Sequence, residues 1–266
     1  MISNRESALK LVRQILAADF ACEESDFDKE GITFHLAKEL EGARRVPLPD
    51  KFLAVVTMGR GVVVSCSADR LRWARTNLKS FAPEALFYAS AIARMEKYVA
   101  RDHQTMFGPE LRYICTQDTF QPYPLGGEIE VGLIQEESIK QLYGNNRFPN
   151  ALGRRYDPQR PRLLACSAKH DGVIVGLAAA SADSDSMWQV GLDVLPGYRN
   201  RGIGKALVSR LTEALFDIEK LPYCQTTGMS NISSRRIAIS VGYRPAWVEI
   251  FSEERAEVYL REPRSG

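Results

Sequence analysis

Val194-Leu195-Pro196-Gly197-Tyr198-Arg199-Asn200-Arg201-Gly202-Ile203-Gly204-Lys205 joins a run of strand character, ending at Val194, to a run of helix character that begins near Lys205. Glycines at 202 and 204 allow a tight turn and a close approach of the backbone to whatever lies outside it. Successive N–H groups and the positive end of the following helix would then converge on one point, the arrangement that holds an anion such as a phosphate. A strand, a glycine turn and a helix in that order also point to an α/β layer, and the rest of the chain is read outward from there.

Downstream, a strand at 223–226 and a helix at 231–241 follow, with further strands near 247–251 and 258–260. Upstream, strands at 129–134, 163–168, 173–180 and 188–194 and a helix at 136–143 complete one mixed sheet. The stretch 117–127 carries Pro122, Pro124, Gly126 and Gly127, which is turn and linker chemistry. A domain boundary is expected there, with an α+β domain over 1–122 and an α/β domain over 127–266. The first part reads as an amphipathic helix with Leu9, Val12, Ile15 and Leu16 on one face, a strand near 32–35, and two β-branched runs at 52–57 and 61–65. Met58-Gly59-Arg60-Gly61 is a hairpin turn between those runs. Helices over 68–78 and 83–101 and a strand at 111–115 follow, and none of them carries a chemical motif.

The chain has 266 residues, with 35 Lys and Arg against 33 Asp and Glu, so a net charge of +2 supplies no field that would gather nucleic acid or an anionic membrane. Five scattered cysteines (Cys22, Cys66, Cys115, Cys166, Cys224) form no C-x-x-C pair, and His35, His103 and His170 are far apart in sequence. Reduced thiols, no structural metal and a cytoplasmic location are the expectation, since no secretory leader and no bilayer-length apolar run is read in the sequence.

Beside the glycine loop stand Val194-x-Pro196 and Asn231-x-x-Ser234-x-x-x-Ala238-x-x-x-Gly242-Tyr243, one strand and one helix apart. Together these resemble the GNAT superfamily of acyl-CoA-dependent N-acyltransferases, over the region from about Gly127 onward and most specifically from Trp188 to Tyr243. The resemblance implies a GNAT-like mixed β-sheet flanked by helices in the C-terminal half, preceded by a smaller α+β N-terminal domain. It implies acetyl-CoA as co-substrate, its pyrophosphate on Arg199, Asn200, Arg201, Gly202, Ile203, Gly204 and Lys205. In the family the strand before the loop splays from its neighbour at a bulge and the acyl arm enters the gap. The thioester-polarising N–H would come from Val194 or its immediate neighbour, and Asn231 would hydrogen-bond the pantetheine arm.

Asn231 is equally suited to cap its helix, as is Ser230. Where many members carry a tyrosine to protonate the leaving thiolate, this chain has Ala238. Ser234, on the same helical face, is the substitute acid, with a packing or capping role as its alternative. For the base that frees the attacking amine, Asp193, Asp183 and Asp185 are candidates. Asp193 alternates with Gln189 and Gly191 opposite an apolar face of Trp188, Val190 and Leu192, and a structural role, such as pairing with a nearby arginine, is its alternative. Trp188 stands where the family often has a glutamate. Cys224 reads as a small apolar strand residue rather than a nucleophile.

The expected reaction is acetyl transfer to a primary amine by direct attack. A small-molecule acceptor comes first, because no charged tract suggests a polymer groove. A protein amine and a non-catalytic acyl-CoA-binding or sensing module are the other readings, and a homo-oligomer stays open.

Overall fold

The computed structural model describes residues 4–46, 50–144, 146–153, 155–225 and 230–254. The expected strand at 258–260 and the loop residue Arg154 lie outside these. The helices are α1 (Arg5–Phe20), α2 (Ala68–Leu78), α3 (Ala89–Val99), α4 (Glu136–Lys140), α5 (Pro149–Leu152), α6 (Ile203–Asp217) and α7 (Ile232–Val241). The strands are β1 (Ile32–Leu36), β2 (Leu53–Thr57), β3 (Val62–Cys66), β4 (Gln104–Ile114), β5 (Glu130–Gln135), β6 (Arg162–His170), β7 (Val173–Ser181), β8 (Met187–Val194), β9 (Leu221–Gln225) and β10 (Arg244–Glu254). The helix expected over 83–101 is a 3₁₀ turn, Pro83–Phe87, followed by α3, because Tyr88 at ψ 156° is extended.

The chain divides into two compact units, one of Met1–Asp19, Leu40–Val46 and Glu110–Trp247, the other of Phe20–Glu39, Pro47–Pro109 and Val248–Gly266. Each is discontinuous in sequence, unlike the single boundary expected between 122 and 127. The cause is strand pairing, which composition does not report. Arg112, Tyr113 and Ile114 of β4 pair antiparallel with Gln225, Cys224 and Tyr223 of β9. In the other unit Val248–Phe251 of β10 pair with β2, and β2 pairs with β3, which lies parallel to β1. The stretch 117–127 is likewise more than a linker: Gln121 donates its N–H to Val241 O, and Tyr123 donates its N–H to Ser209 Oγ at 2.9 Å.

In the larger unit the strands run in the order β4-β9-β8-β7-β6-β5. Strand β7, Val173–Ser181, is buried over its last seven residues because helices cover both of its faces. Small side chains make that possible. Cys166, Ala168, Ala178 and Ala180 meet α6 through Ile203, Leu207, Val208 and Leu211, spaced three and four apart as one helical stripe. On the opposite face Ala165, Leu177 and Ala179 meet Ile139, Phe148, Ala151 and Leu152 of the α4–α5 region. Strand β8 alternates as the sequence predicts: Trp188, Val190, Leu192 and Val194 pack toward α6, and Gly191 lies under α5, where an added Cβ would sit 2.2 Å from Asn150 O. No helix among the described residues is long and apolar enough to cross a membrane.

Candidate functional site

Strands β8 and β9 run parallel and pair at Met187↔Leu221, Trp188↔Pro222 and Gln189↔Tyr223, and the pairing stops there although β8 continues to Val194. Beyond Gln189 no ladder joins Val190 and Gly191 to Cys224 and Gln225, so among the described residues the two strands part there, leaving a gap at the end of β8 that leads into the glycine loop. On its other side β8 pairs with β7 from Ser181↔Gln189 to Gly176↔Val194 without a register shift, so the splay occurs without the expected bulge in that ladder.

Backbone alternation decides which groups enter the gap. Leu195 donates its N–H to Val175 O at 2.9 Å, so odd-numbered residues of β8 turn their backbone groups toward β7. Leu192 and Val194 turn theirs away from β7, into the gap. Their N–H groups are the donors for a carbonyl there; the immediate neighbours of Val194 face β7 instead.

The loop follows at once. Asn200 has φ +62° and Gly202, the N-cap of α6, has φ +81°, both left-handed. The first hydrogen bond within α6 is from Ala206 N to Gly202 O, so the N–H groups of Ile203, Gly204 and Lys205 precede it and point out of the helix start. The two glycines do different work. A Cβ on Gly202 would lie 2.9 Å from Tyr123 Oη, whereas one on Gly204 would lie 2.9 Å from Ile237 Cδ1 and 3.2 Å from Leu192 Cδ2. Gly204 therefore serves the packing of α6 on α7 and β8, and the Ile203 side chain is buried in the core. The cations are also engaged. Arg199 Nε donates to Val194 O at 3.0 Å, bracing the mouth of the gap. Arg201 lies 5.4 Å over the Tyr198 ring and Lys205 Nζ 5.1 Å over the Tyr123 ring.

Asn231 caps α7, its Oδ1 accepting from Ser234 N at 3.1 Å. That leaves the exposed Asn231 amide nitrogen free to donate outward. Ser234 sits in the first turn of α7, and Ala238, one turn on, is buried in the α6 core. Cys224, packed against the same core, has its thiol pushed up to about 12 by burial, with Cys115 beside it acting the same way. A thiol held protonated at neutral pH is no nucleophile.

The carboxylates are committed. Asp193 accepts from Asn150 N at 2.7 Å, Ala151 N at 2.9 Å and Asn150 Nδ2 at 2.5 Å, so it ties the start of α5 to β8. This is a structural role, with backbone and amide donors in place of the arginine the sequence suggests, and its oxygens are occupied where a base would need one open. Asp183 is wholly buried and accepts from both Arg160 Nε, 3.1 Å, and Nη2, 2.9 Å, and from Ser181 Oγ at 2.6 Å. The Tyr223 hydroxyl also donates to it. Burial, and the Asp183 charge next, hold the Tyr223 phenol well above its ordinary value, so it stays a donor. Its oxygen is 3.0 Å from the side-chain amide of Gln189, at the last paired position before the strands part. Asp185 is 90% exposed and paired with Arg45. Sequence reasoning missed the Tyr223–Gln189 pair, because nothing local places β9 beside β8. Among the described residues no group of three or more His, Cys, Asp or Glu could hold a metal ion.

The sequence pattern of the Acetyltransferase (GNAT) family matches residues 134–243, which span the splayed strands, the loop and α7. No curated protein matches the chain. Among solved structures, a GCN5-related N-acetyltransferase-like protein from Streptococcus suis 89/1591 is similar at 18% identity and a TM-score of 0.45, over 60% of this chain and 66% of that one. A GCN5-related N-acetyltransferase from Kribbella flavida is similar at 18% identity and a TM-score of 0.45, over 68% of this chain and 77% of that one. An aminoglycoside acetyltransferase from an uncultured soil metagenomic sample has 18% identity and a TM-score of 0.34, over 44% of this chain and 91% of that one. It is this segment, residues 134–243, that carries the likeness to the acetyltransferase (GNAT) family.

Proposed function

We propose that the protein transfers the acetyl group of acetyl-CoA to a primary amine of a small molecule by direct attack. The observation that carries this reading is the gap between β8 and β9, opening onto the glycine loop with the N–H groups of Leu192 and Val194 turned into it. The pantetheine arm takes the place of a strand in the gap, and the pyrophosphate takes the N–H groups at the start of α6. The neutral amine attacks the thioester carbon, and the oxyanion that forms accepts from one of the two β8 N–H groups. A donor so placed lowers the barrier by about 3 to 4 kcal/mol. The tetrahedral adduct collapses with loss of the CoA thiolate. With a reference thiol pKa of about 8.5, it leaves without strong acid assistance, which is why Ala238 in place of a tyrosine is compatible with turnover. Holding both reactants in line supplies the rest. Ser234 and Asp193 remain proposals for proton transfer, Asp193 only in a state that releases α5.

The test is release of CoA thiol from acetyl-CoA with a panel of amino sugars, polyamines, amino acids and peptides. Release with a small amine is the expected result. Release with peptides alone would transfer the reading to a protein amine. Tight acetyl-CoA binding with no release above background from any amine would leave the non-catalytic binding module in its place.

Asn231 allows a finer check. Asn231→Ala removes both the cap and the outward amide, and is expected to cost about 1 kcal/mol of stability along with CoA affinity. Asn231→Ser keeps the cap and loses the amide, so chemical denaturation should read as wild type while affinity still falls. Wild-type affinity in Asn231→Ser would remove the pantetheine contact.

A further inference from the structure

Tyr123 belongs to the stretch 117–127 that the sequence presents as a linker, yet the chain on both sides of it is fastened down. Phe120 packs edge-on against Phe216 with ring centroids 5.5 Å apart, and Leu125 packs against the α6 core. The Tyr123 N–H is held by Ser209 Oγ at 2.9 Å, and prolines at 122 and 124 fix φ on either side. The backbone that carries the ring is held on both sides. It lies against the loop, Oη and Cε1 occupying the space that a Cβ on Gly202 would need, at 2.9 and 3.2 Å. It is still 36% exposed, with the Lys205 ammonium 5.1 Å over its centroid.

A partly exposed aromatic ring on an anchored backbone, an adjacent cation and a turn of outward N–H groups are the elements of a nucleotide site: a π surface for a base, with charge and donors for its phosphates. Core packing does not account for the exposure, and a linker has no need of the anchoring. We propose that Tyr123 is the platform for the adenine of the CoA donor, Lys205 exchanging the tyrosine ring for a phosphate oxygen as the base stacks. This inference rests on the reading of acetyl-CoA as the donor. It assigns a ligand-binding role to a residue outside the family-matched segment, which begins at residue 134.

The experiment is calorimetry with two probes, CoA and 4′-phosphopantetheine, the second lacking the adenosine portion. Tyr123→Ala is expected to weaken CoA binding by about tenfold or more, the scale of one base–aromatic stack, and to leave phosphopantetheine binding unchanged. Tyr123→Phe keeps the ring and should bind CoA as wild type does. Unchanged CoA affinity in Tyr123→Ala overturns the proposal. So does an equal loss for both probes, which would make Tyr123 a support for the Gly202 turn only. Failure of the wild-type protein to bind either probe would instead overturn the donor reading, and this inference with it.

Discussion

Gly202→Glu should raise the dissociation constant for CoA by more than a hundredfold while leaving the chain folded. Three effects add. Gly202 has φ +81°, where a side chain costs about 1 to 2 kcal/mol. The new Cβ would meet Tyr123 Oη at 2.9 Å, forcing the ring off the loop. The largest effect is the carboxylate at the start of α6, where the donor's pyrophosphate is read to bind. Two like charges about 4 Å apart at an effective dielectric of about 20 repel by about 4 kcal/mol, nearly a thousandfold in affinity. Gly202→Ala carries the strain and the Tyr123 clash without the charge, and should lose roughly tenfold. Titration calorimetry with CoA separates the two variants. Equal affinities for Gly202→Glu and wild type would remove the anion from this loop.

For Asp183→Ala the expected effect is on stability, a loss of about 3 to 5 kcal/mol. The Asp183 carboxylate is fully buried and organises Arg160, Ser181 and Tyr223 around one point. Its removal leaves the Arg160 guanidinium, 22% exposed, without that counter-charge and the buried Tyr223 hydroxyl with the Gln189 side-chain oxygen in place of a carboxylate. At a denaturant slope of about 2 to 3 kcal/mol/M, the urea midpoint should fall by roughly 1 to 2 M. Asp185→Ala is the control, since a 90% exposed carboxylate paired with Arg45 contributes about 1 kcal/mol at most. Identical midpoints for the two variants would mean that the Asp183 network contributes no more than a surface pair.

What could be read locally in the sequence is what local chemistry determines. The alternation of Trp188 to Val194, the left-handed turn at Gly202, the cap at Asn231 and the helix of α6 each depend on residues within one turn or one strand. The partners of those elements were not legible. Pro122, Pro124, Gly126 and Gly127 announce turns, but nothing in them states that Tyr123 is tied to Ser209. Asp193 has the right residue type and face for a base, yet the N–H groups of Asn150 and Ala151 use it as a helix anchor. Gly204 looks like part of an anion cradle by spacing, and only the nearness of Ile237 and Leu192 shows that its missing side chain also lets α6 pack. The splay itself is a failure of pairing, which no single strand records.

The pairing of β4 with β9 also sets a timetable. Arg112 and Gln225 are 113 residues apart in the chain, and at a synthesis rate of roughly 5 to 20 residues per second the later strand emerges about 6 to 23 s after the earlier one. Until then β4 is an unsatisfied edge, able to pair with any extended segment that meets it. The smaller unit waits longer, because β2 has no β10 beside it until Val248–Phe251 have been made. Both units therefore carry open strand edges during synthesis, so folding yield in the cell should depend on how well those early edges are shielded.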